Sequence, residues 1–185
     1  MAERGDRVTS HESTRFTAEV IRTPRLDLTP LSVDDADVMA VVLADPALHA
    51  YIGGTPENPE QLRVRYRRLV AGSPQPGISW LNWIVRLRDE GCATGFVQAT
   101  IDGRSLTAEV AWVIGTPWQG RGIAREAAVG LADRLRDLGV RTVVAHIHPE
   151  HRASAAVAEA AGLSATEVVE DGEVRWVGSL ERRAR

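Results

Sequence analysis

One strand that runs through a glycine-punctuated turn straight into an amphipathic helix constrains this chain more than any other feature. Glu109 to Ala128 reads Glu-Val-Ala-Trp-Val-Ile-Gly-Thr-Pro-Trp-Gln-Gly-Arg-Gly-Ile-Ala-Arg-Glu-Ala-Ala. The first turn of a helix carries backbone N–H groups without intrahelical partners, and the helix dipole favours negative charge there. Gly120 and Gly122 remove the side chains that would keep a phosphate away from those donors. The segment is therefore a candidate anion cradle, and it demands a fold in which a strand delivers its end to the start of a helix.

Composition narrows what the cradle can hold. All 22 basic residues are arginine. Without lysine there is no Walker A phosphate loop, which ends Gly-Lys-Ser/Thr, and no Schiff-base or pyridoxal chemistry. The dinucleotide fingerprint Gly-x-Gly-x-x-Gly begins at Gly120-Arg121-Gly122 but meets Arg125 where its third glycine belongs. Thr116-Pro117-Trp118 also separates the glycines from the strand, and no acidic strand end follows about 20 residues later. A purely structural turn remains possible, as does a cradle for some other phosphate-bearing ligand.

The net charge of −3 gives no general attraction to nucleic acid or an anionic membrane. Cys92 is the single cysteine, which rules out an internal disulfide or a multi-thiolate zinc site. Met1 to Ser13 lacks the apolar segment of a secretory signal, and no apolar run is long enough to span a bilayer. These features predict a cytoplasmic protein.

With 185 residues and 44% hydrophobic content the chain suits one domain, expected over residues 19–181 after a flexible tail at 1–18. Glu19 to Thr29 alternates as a first strand, with Pro24 marking an edge or bulge. Ser32 is a helix N-cap, with Asp34 and Asp35 favouring the dipole of a helix reaching about Ala44. A second helix opens at Pro59 and puts Leu62, Tyr66, Leu69 and Val70 on one face. Arginines 63, 65, 67 and 68 cover the rest, as a solvated exterior or a substrate-contacting face. Strands follow over 78–88, 92–101 and 106–114, the last feeding the glycine turn. The next helix aligns Ile123, Ala127, Leu131, Leu135 and Leu138 and stops at Gly139. A strand over 141–147, a helix over 150–161 and two strands around Asp171-Gly172 complete the order β-α-α-β-β-β-α-β-α-β-β. This is an α/β (mixed α+β) arrangement: a mixed, largely antiparallel central sheet flanked by about four helices.

Gln119-Gly120-Arg121-Gly122-Ile123-Ala124 has the Gln/Arg-x-x-Gly-x-Gly/Ala form with which GNAT N-acetyltransferases hold the coenzyme A pyrophosphate. Three further segments resemble that family. Ala-Glu-Val-Ala-Trp-Val-Ile, ending at Ile114, is similar to its fourth strand. His148-Pro149-Glu150-His151-Arg152-Ala153-Ser154 is similar to its Pro-x-Asn-x-Ala-Ser helix start, and Gly162-Leu163 stands where Gly-Phe is usual. Thr23-Pro24-Arg25-Leu26-Asp27-Leu28 looks like the first strand of the ribosomal-protein N-terminal acetyltransferase branch (RimJ/RimL-like). The resemblance covers roughly residues 20–178, in correct order and spacing.

The resemblance implies a GNAT fold and transfer of acetyl from acetyl-CoA to a primary amine by direct attack in a ternary complex. The acceptor would be a small-molecule amine or a protein N-terminus, and the enzyme a monomer or homodimer. Backbone amides from Gln119 to Ala124 would hold the pyrophosphate, with Arg121 on an outer phosphate. Val113 and Ile114 would hydrogen-bond the pantetheine arm through their main chain, in a splay between this strand and the one from Arg141. Glu109 would deprotonate the amine, since alternation places it on one face with Ala111 and Val113.

Two departures from the family pattern stand out. The tyrosine that protonates the departing thiolate is replaced by Ala158. Ser154 is then a candidate to assist the sulfur, or it hydrogen-bonds within its own helix turn. His151 replaces the family asparagine, either as a pantetheine contact or as a group titrating near neutral pH. These departures leave a second possibility, a degenerate module that binds acyl-CoA without catalysis. No metal is expected: His146, His148 and His151 lack thiolates and have only Glu150 close by. The tryptophans 80, 83, 112, 118 and 176 read as packing residues, with Trp176 able to border the acceptor pocket.

Overall fold

The computed structural model describes residues 15–181, and they build one mixed sheet with helices on both faces. In chain order the elements are β1 (Ile21–Arg22), β2 (Leu26–Pro30), α1 (Ala36–Val42), α2 (His49–Ile52), α3 (Pro59–Ala71), β3 (Ile78–Leu87), β4 (Cys92–Asp102), β5 (Thr107–Ile114), α4 (Ile123–Asp137), β6 (Thr142–Ile147), α5 (Arg152–Ala160), β7 (Ser164–Glu170) and β8 (Glu173–Ser179). The strands lie side by side as β1-β2-β3-β4-β5-β6-β8-β7. Only β5 and β6 run parallel, because α4 carries the chain back across the sheet between them. All other neighbours are antiparallel. Among the described residues no helix is long and apolar enough to cross a membrane.

Local signals account for most element ends. Ser32 forms a capping box with Asp35 and opens a short 3-10 turn that continues into α1. Asn58 does the same with Gln61 ahead of Pro59 in α3. Gly139 and Gly162, at φ 85° and 87°, follow the ends of α4 and α5. Asp171 and Gly172 both take positive φ, 50° and 85°, the backbone of a two-residue hairpin turn between β7 and β8.

Strand alternation splits the core into two layers. Leu26, Leu28, Trp83, Val97 and Ile101 meet Ile123, Ala127, Leu131 and Leu135 of α4 on one face. Met39, Leu62, Tyr66 and Ile84 pack beneath α1 and α3 on the other. The face of β6, β7 and β8 beside α1 and α3 contributes nothing to this second cluster, and that open ground is where the site lies.

Five details differ from the sequence expectation. The first strand is broken into β1 and β2 by a turn at Thr23–Leu26, where Pro24 has no N–H to offer a ladder. The fifth helix, α2, spans four residues, too short to leave a periodic pattern. Phe16 is buried in the main core and its N–H donates to Ser79 Oγ, so packing begins upstream of residue 19. Residues 1–14 and 182–185 of the expected tails lie outside the described residues. Val70 is exposed, at the margin of the α3 stripe, and Trp176 is buried in the main core opposite Ala145 rather than bordering an acceptor pocket.

Candidate active site

The cradle is shaped by the end of β5. Gly115 N–H donates to the Thr94 carbonyl, after which Thr116–Trp118 make one 3-10 turn and Gln119 is extended. Gly120 and Gly122 are left-handed, at φ 72° and 75°. A Cβ on Gly120 would meet no protein atom within 4 Å, and one on Gly122 only the Arg25 guanidinium at 3.5 Å. Internal packing therefore does not demand these glycines; the turn and the close approach of a ligand do. Gly122 is the N-cap of α4 and no side chain caps that helix, so its first N–H groups open onto the same space. This donor set suits a pyrophosphate. Arg121 is elsewhere: its guanidinium is paired with Glu90 in the β3–β4 turn.

Glu126, in the first turn of α4, ties the cradle to the β1–β2 turn. Its Oε1 accepts from Thr23 Oγ1 at 2.5 Å and from Arg25 N–H at 2.7 Å, while Oε2 takes Arg25 Nε. Arg25 also donates to the Arg121 carbonyl at 3.2 Å, inside the glycine turn. Burial alone would raise the Glu126 carboxyl; the hydrogen bonds from Thr23 and Arg25 outweigh it and leave it below its ordinary 4.5. A depressed carboxyl stabilises the fold above its unfolded value, and that contribution disappears as pH falls through the folded one. Glu126→Gln is therefore expected to flatten the fall of Tm between about pH 5 and pH 3. Thermal melts across that range are the check, and an unchanged slope would contradict the role.

Beyond the cradle the sheet splits. β5 and β6 pair only at Thr107–Thr142, Ala108–Val143 and Glu109–Val144. Past that point β5 stays with β4 to Ile114, and β6 stays with β8 to Ile147. An antiparallel ladder turns alternate residues toward each neighbour. Gly115 N–H faces β4, as does the Val113 carbonyl, which a Cβ on Gly95 would strike. Val110, Trp112 and Ile114 accordingly present their main chain to the wedge. Val113 and Ile114 thus cannot both bond a ligand there through their backbone: Ile114 can, with Trp112 as its companion, and Val113 is committed to Phe96. Gln119 Nε2 donates to the Ile114 carbonyl at 2.9 Å and joins the wedge to the cradle.

A cleft of about 530 Å³ opens from this wedge and brings together Glu109, Trp112, His146, His148, His151 and Ser154. Glu109 stands at the point where the strands part, its side chain 64% exposed. Ser154 Oγ accepts a hydrogen bond from Trp112 Nε1 at 3.1 Å. An indole only donates, so the serine keeps its own proton available. Ser154→Ala would leave the half-buried indole N–H without a protein partner, at an expected cost of about 1 kcal/mol in urea melts. An unchanged midpoint would show that the bond carries no stability. Ala158 is wholly buried in the main core and offers the cleft nothing in place of the family tyrosine.

His151 is the N-cap residue of α5 and makes no side-chain cap; its ring stacks on Tyr51 with centroids 4.2 Å apart. Burial, with His148 beside it, holds His151 below its ordinary 6.5, so it is neutral at pH 7. Tyr51 also meets the edge of His148, at 5.7 Å. The other tyrosine, Tyr66, is buried under α1, where burial pushes its phenol up to about 12. Tyr51 is the cleft residue the sequence does not announce, because α2 has no periodicity to place it.

Two further groups of side chains singled out in the sequence have the following surroundings. Among the described residues no three His, Cys, Asp or Glu side chains gather to hold a metal; His146 lies between Glu109 and Glu170 instead. The arginines of α3 are largely spent within the chain. Arg63 pairs with Asp37 and Glu60, Arg65 with Glu57, and Arg68 lies over the Trp80 ring.

The profile of the acetyltransferase (GNAT) domain family matches residues 25–164. An uncharacterized N-acetyltransferase, p20, of Bacillus licheniformis is 30% identical over 139 residues, covering 74% of this chain and 77% of that protein. The RimL ribosomal L7/L12 α-N-protein acetyltransferase, solved with coenzyme A, superposes with a TM-score of 0.72 at 18% identity, covering 86% of this chain and 94% of that one. Spermidine N-acetyltransferase from Vibrio cholerae, solved with coenzyme A and spermine, gives 0.70 at 18%, covering 85% and 97%. At such identities these two structures share the fold. A cradle open to a pyrophosphate, a wedge that exposes strand edges and a profile spanning most of the sheet agree: this chain belongs to the GNAT family and is an acetyl-CoA-dependent N-acetyltransferase.

Proposed function

We propose that the amine attacks acetyl-CoA directly in a ternary complex, with Glu109 as the base that takes the amine proton. The observation that carries this reading is the position of Glu109. It is the last β5 residue paired to β6, so its carboxylate sits where the wedge opens and faces the space in which thioester and amine must meet. Gln119 to Ala124 hold the pyrophosphate, chiefly through main-chain N–H groups of Gly120, Arg121, Gly122, Ile123 and Ala124. The strand edges of Trp112 and Ile114 align the pantetheine. Ser154, whose proton is free, serves the departing thiolate, and neutral His151 contacts the pantetheine beside it.

Glu57, Glu109 and Glu173 line the cleft against a single arginine, Arg65, which favours a cationic amine. Both acceptor kinds fit that description. The fold is shared with an enzyme named for a protein α-amine and with one named for spermidine. A net charge of −3 and the single Cys92 support action in the cytoplasm on acceptors other than nucleic acid or membrane. The enzyme acts as a monomer or homodimer.

Incubation with acetyl-CoA and a panel of diamines, amino acids and N-terminal peptides, read as release of free thiol, tests this. Turnover with at least one primary amine is expected. Tight acetyl-CoA binding without turnover on any of them would overturn the reading.

A further inference from the structure

We propose that His146 is a positioning residue that passes the amine proton from Glu109 to Glu170 at the edge of the sheet; this rests on Glu109 being the base. His146 lies on β6 with its ring between two carboxylates from different strands. Nδ1 is 3.6 Å from Glu109 Oε1 on β5, and Nε2 is 3.2 Å from Glu170 Oε2 on β7. Nε2 has no contact with solvent and makes no well-aligned hydrogen bond, a state that buried polar atoms rarely keep without a use. Glu170 is 59% exposed and delivers the line to water. The bulge between Ala165 and Val169 interrupts the β7–β8 register just ahead of that residue.

The chemistry needs such an exit. An ammonium acceptor loses two protons in becoming an acetamide and the thiolate recovers one, so one proton per turnover must reach water. Glu109 takes it from the amine nitrogen and gives it to His146 Nδ1. The proton on His146 Nε2 moves to Glu170 Oε2, and Glu170 releases it to solvent. Only N–H and O–H bonds change, and both carboxylates end in the charge state in which they began. Once product leaves, Nδ1 gives its proton to water in the open cleft and Nε2 regains one from water through Glu170, which restores the first tautomer. Acetyl-CoA and acceptor fill the cleft during reaction, so the direct path from Glu109 to bulk water closes while the path through the sheet edge stays open. The other ionisable groups near this ring are Arg175, its register partner on β8, and His148, just past the end of β6, with Glu173 of β8 at the cleft wall.

The test compares Glu109→Gln, His146→Ala and Glu170→Gln in the full chain, measuring kcat and acceptor KM against pH together with acetyl-CoA Kd. His146→Ala is expected to lower kcat roughly tenfold, as part of a general-base contribution, with acetyl-CoA Kd unchanged. It should also shift the acid limb of the kcat profile, and added imidazole should restore turnover. Glu170→Gln, an exposed change with little risk to folding, should move the same limb by a smaller amount. Wild-type kcat in both variants, or a loss in His146→Ala that imidazole does not rescue and that leaves the pH profile in place, overturns the relay. If Glu109→Gln is impaired while the other two are not, the relay falls and the base stands. If Glu109→Gln is fully active, both fall.

Discussion

Glu109→Gln is expected to cut kcat by about two orders of magnitude at neutral pH, the scale of a lost general base. Glutamine keeps the size and the hydrogen-bonding shape of the side chain but cannot accept a proton from an ammonium. Acetyl-CoA Kd should stay within a few-fold of wild type, because the cradle and the wedge edges lie on other residues. The deficit should shrink as pH rises, since solvent then supplies the acceptor already neutral. Steady-state kinetics from pH 6 to pH 10, with acetyl-CoA binding measured calorimetrically, read both effects. A variant with wild-type kcat at low pH would place the base on another residue.

The second large effect is expected at the cradle. Gly122→Val forces a β-branched residue into a left-handed conformation, which costs about 1–2 kcal/mol. It also puts methyl groups over the first N–H donors of α4. Loss of those contacts should weaken acetyl-CoA by about 3 kcal/mol, or roughly a hundredfold in Kd. The acceptor KM and kcat at saturating acetyl-CoA should change little, because Glu109 and the acceptor side of the cleft are untouched. That split between the two substrates distinguishes a donor-site defect from general misfolding, and far-UV circular dichroism confirms that the fold is retained. Unaltered acetyl-CoA affinity would show that the pyrophosphate is held elsewhere.

The two predictions draw on different kinds of legibility. The cradle is local: Gly120, Gly122 and the helix that follows are contiguous in sequence, and a positive φ next to an uncapped helix start depends on residues a few positions apart. The same holds for Ser32, Asn58 and Gly139, whose capping roles are read from their immediate neighbours. Facing along a strand is local too, so Glu109 is correctly separated from Val110. What alternation does not reveal is which neighbour a strand's main chain is bonded to. Naming Val113 with Ile114 as the pantetheine contact missed that adjacent residues point to opposite neighbours. Only the β4–β5 register shows which of the two is free.

Long-range pairs were out of reach for the same reason. Ser154 and Trp112 are 42 residues apart, and Glu126 and Thr23 are 103 apart. Nothing in either segment marks the other, so the choice between a helix-turn bond and a role at the sulfur stayed open for Ser154. In the sequence His146 could be weighed only against metal binding with His148 and His151, which is not expected there, and no other partner is marked for it. Its actual neighbours come from β5 and β7, which are brought beside it by the crossover through α4 and by the final hairpin.

By itself the sequence determined the fold and the glycine turn that opens α4, because strand period, helix caps and glycine conformations are set by short stretches of chain. The tertiary structure alone decided where the sheet splits, which strand edges are left unpaired and which carboxylates flank His146. Those properties belong to the register between strands distant in sequence, and register is fixed by the packing of whole layers rather than by any one segment.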